Sequence, residues 1–305
     1  MPTLELLRRK IETATDLQSV VTTMKTLAAV RIHQYQRAAD ALKDYNQTIQ
    51  LGLQVILKEQ RLRQLPASEW SGENTARNDA EESSHHGVIV IGSDQGMCGQ
   101  FNEQIATHAL EHHAHHCPRP PEALWIVGSR VAFLLTDSGW TVEEAFRIPT
   151  SVPEIAGCVS DLLTAVESLR EQRHLTTLRI HSNIRSSAGS YQPNTTQLLP
   201  IDLAWLQQLS SEPWESPCLP TFGGDREELF SLLIRQSLYV SLYQACAESL
   251  ASENASRIAA MQAAEKNIEE TLDELNTAFK TQRQTSITEE LLDVVIGFEA
   301  LTSGS

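Results

Sequence analysis

The chain has 305 residues, with 39 acidic and 24 basic side chains and a formal net charge of −15 at pH 7. An acidic chain without a basic stripe is a poor candidate for nucleic-acid binding, because lysine and arginine supply most of the affinity for phosphate backbones. No apolar run approaches the roughly 20 residues that span a bilayer, and the first residues do not resemble a signal peptide. The five cysteines show no paired spacing, which is typical of reduced cytoplasmic thiols.

The first predicted element is a long helix over residues 1–60. Neither glycine nor proline interrupts residues 3–51. Two rows of residues repeat every seven positions along this stretch. The row that begins at Leu7 is apolar throughout, and the companion row that begins at Leu4 is apolar apart from three polar residues. Heptads sustained over this length favour a coiled coil over the amphipathic helix of a globular domain. The main seam, with one apolar residue every seven positions, is Leu7, Ala14, Val21, Ala28, Tyr35, Leu42, Ile49 and Ile56.

The middle of the chain changes pattern twice. Residues 61–86 are polar and contain Pro66 and Gly72, which predicts a linker. Short apolar runs then alternate with helical patterns, which predicts a Rossmann-like α/β domain over residues 87–224 with a mostly parallel sheet. Residues 200–224 hold four prolines and two glycines and are expected to form a loop. The expected strands begin near Gly87 and cover residues 88–91, 123–127, 141–146, 175–184 and 195–199.

The last predicted element is a second long helix within residues 225–305. It contains no proline, and its first glycine is Gly297. A continuous helix of this length would extend about 100 Å, which exceeds the depth of a domain core, so its apolar seam needs a partner helix. The seam positions are Met261, Ile268 and Leu275 on one side, and Glu265, Leu272 and Phe279 on the other.

The two terminal helices have seams of similar length, so they are predicted to pair with each other. The predicted fold is therefore α + α/β: a long antiparallel coiled coil of the N- and C-terminal helices, with the α/β domain inserted between them. Two unrelated long helices in a bundle are the alternative.

A polar segment at residues 281–286 interrupts the C-terminal seam. The apolar positions resume one step out of phase at Ile287, Leu291, Val294 and Phe298. Such a stutter locally unwinds a coiled coil. The segment is either a solvated patch or a surface that meets another protein through hydrogen bonds.

Residues 92–99 follow a strand and open a helix, a place where backbone amides can bind phosphate. Their glycine spacing matches neither the dinucleotide-binding nor the P-loop pattern, so a tight turn that needs glycine dihedral angles is the favoured interpretation. The sequence around Cys98 shows no Cys/His/Asn arrangement of the kind that activates a catalytic cysteine. Cys98 is therefore expected to pack as a small apolar side chain.

Histidines are concentrated near the end of the helix that follows this turn. His108 and His112 are four residues apart, as are His112 and His116, and this helical spacing can bind zinc. No glutamate completes an HExxH motif, and a solvated helix end is the favoured interpretation.

Several motifs carry a resemblance to a known family. Residues 93–102, SDQGMCGQFN, are similar to the turn SDRGLCGGLN, and further matches lie at residues 8–11, 24–29, 237–243, 248–253, 256–261, 273–275 and 283–291. The chain resembles the gamma subunit of F-type ATP synthases over both terminal helices and the first strand and turn of the middle domain. Gln95 replaces the usual arginine, and Ser19 and Thr22 stand where lysines are usual, which suggests a divergent branch such as the sodium-linked ATPases.

The resemblance implies a rotor stalk without a catalytic site, a cofactor or a bound metal. Its implied partners are three alpha and three beta subunits, the epsilon subunit and the membrane c-ring, at the cytoplasmic face of a prokaryotic cell membrane. A static coiled-coil scaffold and an α/β enzyme with a coiled-coil arm are the alternatives. The implied contacts with the beta subunits are Met24 and Lys25 on the first helix and Arg257, Arg283, Gln284 and Thr288 on the last.

Overall fold

The computed structural model describes residues 3–59, 85–117, 119–186, 190–214, 216–218 and 220–302, apart from the side chains of residues 59 and 297–302. Its contacts divide the chain into two units. The first unit joins Met1–Ala28 with Arg257–Ser305, and the second unit is Ala29–Ser256. The two long helices therefore contribute residues to both units.

The terminal helices have nearly the predicted bounds. Helix α1 is Leu4–Glu59 and helix α6, with 77 residues, is Arg226–Thr302. In the described ranges, no helix combines the length and apolar character needed to cross a bilayer.

The main heptad seam of α1 is buried, as its period predicts. Leu42 is half-buried, and the other seven members of the seam are buried. The companion seam is half-buried except at Leu53, which is fully buried. Burial of one face every seven residues is the packing expected when a helix lies along a partner of similar length.

The second unit gives the relative direction of α1 and α6. A Cβ atom on Gly52 would lie 3.3 Å from the side chain of Leu233, and Lys43 is close enough to Glu248 to interact with it electrostatically. Numbers that rise along α1 fall along α6, so the two helices are antiparallel, as predicted.

The sheet of the second unit has the order β3-β2-β1-β4-β5. Strands β1 (His86–Ile91), β2 (Ala123–Val127), β3 (Glu144–Phe146) and β4 (Thr177–Arg185) are parallel, and β5 (Tyr191–Leu199) is antiparallel to β4. The sheet is therefore mixed and Rossmann-like. The helices between the strands are α2 (Phe101–His116), α3 (Ser129–Asp137) and α4 (Val152–Arg173).

Both faces of the sheet are covered, which explains the continuous apolar run of β1. Val88 and Val90 pack on the face covered by α2 and α3. Ile89 and Ile91 pack on the opposite face with α4 and α6. A strand buried on both sides needs apolar residues at every position, because successive side chains point to opposite faces.

The prediction of a loop over residues 200–224 was wrong in part. Helix α5 is Leu203–Ser211, and the Asp202 carboxylate caps it by accepting a hydrogen bond of 2.8 Å from the N–H of Ala204. The prolines at 200 and 213 lie outside this helix and did not exclude it.

Some predicted boundaries differ from the described elements. Strand β3 is shorter than residues 141–146, and β5 begins before residue 195. His86 already belongs to β1, whereas residues 61–84 of the predicted linker lie outside the described residues. The domain boundaries at residues 60, 86 and 224 stay a prediction.

Candidate interaction surfaces

Lys25, one of the predicted contact residues, is engaged within the first unit. Its ammonium group forms an ion pair with the Glu265 carboxylate of α6, and the Thr22 hydroxyl donates to the same carboxylate at 3.3 Å. The hydrogen bond from Lys25 lowers the pKa of Glu265 and so favours its charged form. Lys25 therefore joins the two helices and keeps only part of its surface for another protein.

Met24 lies in an exposed apolar row on α1 that the heptad analysis did not identify. We call this row, formed by Leu17, Val20, Met24 and Leu27, the outer stripe. Met24 is half-exposed, and the other three side chains are 52–55% exposed. Their spacing of three, four and three residues places them on one helical face. That spacing was the available signal, but the stronger seven-residue period concealed it.

Arg283, Gln284 and Thr288 are exposed on α6. Gln284 and Thr288 are one helical turn apart, and the Thr288 hydroxyl donates to the backbone carbonyl of Gln284 at 2.9 Å. The Thr288 hydroxyl oxygen and the Gln284 side-chain amide can still bond to a partner. The polar break thus exposes hydrogen-bonding groups, and its contact with another protein stays a prediction.

Arg257 is placed differently from these three residues. Only 5% of Arg257 is exposed, so the structure does not bring it to the surface with Arg283, Gln284 and Thr288. A side chain with so little exposed area is a weak candidate for contact with a beta subunit, and that contact stays a prediction.

The end of α6 extends past the start of α1. In an antiparallel pair, residues at equal distances from the contact between Lys25 and Glu265 lie opposite each other. Leu4 lies 21 residues before Lys25, and residue 286 lies 21 residues after Glu265. Residue 286 is therefore opposite Leu4, the first residue of α1. We call residues 287–296 the α6 tip. The following aliphatic residues of the tip are each 48–71% exposed: Ile287, Leu291, Leu292, Val294, Val295 and Ile296.

The turn at residues 92–99 is a packed connection between β1 and α2. A Cβ atom on Gly92 would lie 2.5 Å from Val131, and Gly99 has a φ of 59°, which glycine adopts without strain. The Asn102 side chain accepts from the Ser93 N–H at 2.9 Å and donates to its hydroxyl at 2.8 Å. These contacts support the tight-turn interpretation.

Comparison with known proteins identifies the family. A family model described as ATP synthase matches residues 3–301. The chain belongs to the ATP synthase gamma family. The ATP synthase gamma chain of Brucella anthropi is 25% identical over 99% of this chain and 100% of its own length. That of Rhizobium johnstonii is 30% identical over 37% of this chain and 36% of its own length.

Solved structures support the same fold for this gamma-family chain. A chain from the mitochondrial ATP synthase of Euglena gracilis, in a structure of the OSCP, F1 and c-ring, has a TM-score of 0.62 and 18% identity. The alignment covers 99% of this chain and 95% of that chain. A chain of the rotor of the same enzyme has a TM-score of 0.59 and 16% identity, with 93% and 98% covered.

The interpretation of the histidine-rich segment as a solvated helix end was wrong for most of it in this member of the gamma family. His113 is buried, and His108 and His112 are half-buried against His181 of β4. Only the histidines at the end of α2, His115 and His116, are exposed. Within the described ranges, no group of three histidine, cysteine or acidic side chains is arranged to hold a metal ion.

Proposed function

We propose that this chain is the central rotor stalk of an F-type ATP synthase or ATPase and transmits torque between a membrane c-ring and a hexamer of alpha and beta subunits. Membership of the gamma family supports the proposal. The structural observation that carries it is the α6 tip, where six large aliphatic side chains are exposed at the end of a continuous helix. Such an area is costly in water and needs a protein partner.

The chemistry of the α6 tip suits a rotating contact. Aliphatic side chains make dispersion contacts that have little directional preference. A tip of this kind can turn inside an apolar sleeve without breaking a fixed set of hydrogen bonds at each step. The alpha and beta subunits would form that sleeve.

The polar surface at Arg283, Gln284 and Thr288 would make the directional contacts. Hydrogen bonds to a beta subunit at one rotational position would couple the angle of α6 to the nucleotide state of that subunit. The outer stripe, with Met24, and the exposed part of Lys25 would face a beta subunit from α1. Arg257 would contribute only if assembly exposed it.

The remaining partners are proposed from the relatives. The Euglena structures that share this fold are of the rotor and of an assembly with a c-ring. We infer that this chain likewise contacts a c-ring and an epsilon subunit and is held peripherally at the cytoplasmic face of a prokaryotic membrane. Residues 1–60 and 225–305 would form the stalk, with the α/β domain over residues 87–224.

We also infer that the chain contains no catalytic site of its own. The Ser93 and Asn102 groups at the turn most similar to a phosphate site bond to each other rather than pointing at a ligand. ATP chemistry would take place in the beta subunits, and this chain would bind no cofactor.

The decisive experiment is co-expression of the full chain with the alpha and beta subunits of its own organism. Native mass spectrometry is expected to show a 3:3:1 complex, and the complex is expected to hydrolyse ATP. If folded alpha and beta subunits form an active hexamer that never retains this chain, the stalk proposal is wrong. A static scaffold would instead assemble but leave turnover unchanged by every substitution in the stalk.

Two sets of variants then test the proposed contacts. Met24→Lys places a charge in the outer stripe and should reduce ion pumping more than ATP hydrolysis. Thr26→Lys adds the same charge to another exposed face of α1 and is the control.

The double variant Gln284→Ala with Thr288→Ala should lower turnover without preventing assembly. Thr285→Ala removes a comparable hydroxyl from a neighbouring face of α6 and is the control. Normal turnover in the double variant would refute the polar contact.

A further inference from the structure

Three imidazole rings meet where α2 packs on the sheet. His181 of β4 is fully buried, and its ring centre lies 5.3 Å from that of His112 and 5.8 Å from that of His108. The rings of His108 and His112 are 6.0 Å apart. We call these three residues the histidine cluster.

A single hydroxyl joins two members of the cluster. The Thr195 hydroxyl on β5 lies 2.8 Å from Nε2 of His108 and 2.8 Å from Nδ1 of His181. Nε2 of His181 and Nδ1 of His112 are buried and have no hydrogen-bond partner among the described residues. A neutral imidazole tolerates one such nitrogen as an acceptor, but a protonated ring needs a partner for both N–H groups.

The charged groups around the cluster do not favour protonation. Arg179 lies on β4 beside His181, and on α2 the neighbours His113 and His116 would add positive charge. Glu111 of α2 is the acidic group that acts on His108. On β5 the cluster meets the uncharged Thr195. On β1, His86 adjoins His113, and Glu122 before β2 acts on His86 rather than on the cluster.

Burial and these neighbours keep the cluster neutral. Burial, with His116 and Arg179 as further causes, lowers the pKa of His112 to about 4. Burial, with His112 and His108 as the next causes, lowers the pKa of His181 to about 3. An unfolded chain would instead bind protons at these residues near pH 6.5.

We propose that the histidine cluster is an acid-sensitive latch that holds α2 against β4 and β5 when its rings are neutral and releases α2 when they are protonated. The release follows from geometry, because three rings that lie within 6.0 Å of one another, two of them bonded to one hydroxyl, cannot accommodate added charge beside Arg179 without separating or admitting water. This regulation belongs to the α/β sheet of the chain and does not depend on the proposed rotor function.

The sign and size of the effect follow from proton linkage. Both pKa values are lowered on folding, so the stabilisation is fully present above the unfolded pKa near 6.5 and is lost as pH falls towards 4. In that range, each histidine that folding keeps neutral lowers the folding equilibrium constant about tenfold for every unit by which the pH falls. For His112 and His181 together, we expect the folding equilibrium constant to fall about a hundredfold per pH unit.

The first test measures urea unfolding of the full-length chain between pH 8 and pH 5. Variants His181→Asn and His112→Gln remove one titrating ring each, and His181→Asn keeps an amide that can bond to Thr195. In each variant, the folding constant is expected to change about tenfold less per pH unit than in the wild type. His33→Gln, at an exposed position of α1, is the control and should leave the pH dependence unchanged.

The second test asks where the chain opens. Hydrogen exchange at pH 5.5, corrected for the intrinsic rate, should increase in α2 before it increases in α4. An unchanged pH dependence in His112→Gln would overturn the proposal even if His181→Asn did not fold. Equal and simultaneous exchange in α2 and α4 would also overturn it, because the acid effect would then be global unfolding rather than release of α2.

Discussion

Lys25 of α1 and Glu265 of α6 form an ion pair at half-buried seam positions of the first unit. Each occupies a position at which a heptad repeat usually holds an apolar residue. We expect a pair of this kind to specify which residues face each other, even where an apolar pair would be at least as stable.

We expect Lys25→Met or Glu265→Gln alone to lower the melting temperature of the isolated chain, because each leaves one charge at the seam without its partner. The double variant Lys25→Met with Glu265→Leu should recover or exceed the wild-type value. Thermal unfolding followed by circular dichroism measures this. Asp40→Asn is the control, since it breaks the exposed pair with Lys43 and should change little. A double variant less stable than both single variants would contradict the prediction.

The Asp94 carboxylate connects two segments of the α/β sheet region. It accepts hydrogen bonds from the N–H of Ser129 at 2.7 Å and of Ile148 at 2.9 Å. Burial raises the pKa of Asp94, but the two backbone donors, the Ser129 hydroxyl and the charge of Arg147 together outweigh burial and lower it overall. The carboxylate therefore stabilises the fold in its charged form.

Asp94→Asn should reduce the free energy of unfolding at pH 7 by about 1–3 kcal/mol, because an amide presents only one acceptor oxygen to two N–H groups. The lowered pKa means that this stabilisation is present above the usual aspartate range and is lost as pH falls through the folded-state value. Urea unfolding at pH 7 and pH 3 measures it, because the loss occurs below the usual aspartate pKa, and the exposed Asp137→Asn is the control. A difference between variant and wild type that grew towards acid pH would have the wrong sign.

Two glycines should respond in opposite directions to the same added methyl group. Gly92 lies against Val131 and Asn102, and a Cβ there would meet atoms at 2.5–2.8 Å. Gly92→Ala should destabilise the chain by about 1–3 kcal/mol through overpacking. Gly157 is exposed in α4, where an added Cβ would meet nothing within 4 Å, and Gly157→Ala should stabilise the chain by about 0.5–1 kcal/mol. Equal effects of the two variants in urea unfolding would contradict at least one of the two assignments.

The five free cysteines should differ in their rates of alkylation at pH 8. Cys218 is exposed and should react first, while Cys98 and Cys246 are buried. Burial raises the pKa of Cys158 to about 11, so its thiolate fraction at pH 8 is roughly 100-fold below that of an ordinary exposed thiol. Mass spectrometry after timed iodoacetamide treatment gives the order. Rapid labelling of Cys246 in the folded chain would show that the packing around it is open.

The α6 tip should be dispensable for folding of the isolated chain. Leu291→Ser with Val294→Ser removes two exposed apolar side chains, and surface changes of this kind alter stability by about 0.5 kcal/mol or less. In the complex with alpha and beta subunits, the same variant should lose turnover or retention. Leu7→Ser is the opposite control, because Leu7 is buried in the seam and its loss should lower the melting temperature. A tip variant that melts lower than Leu7→Ser would contradict this division.

The absence of helix breakers determined the lengths of α1 and α6, and periodicity determined the buried face of α1. Burial of Ala28 and Tyr35 followed from their position in a seven-residue repeat, because a long helix offers the same face to its partner at every second turn. The two-sided burial of β1 was equally local, since four successive apolar residues can be satisfied only when both faces of the strand are covered.

Only the tertiary structure decided what depends on residues far apart in the chain. The sequence separates His108 from Thr195 by 87 residues, and no local pattern predicts that the two bond to each other. The burial of Arg257 and the exposure of Val294 likewise depend on which segment lies opposite each residue of α6. A helical period states which residues share a face, but the packing of other elements decides whether that face meets protein or water.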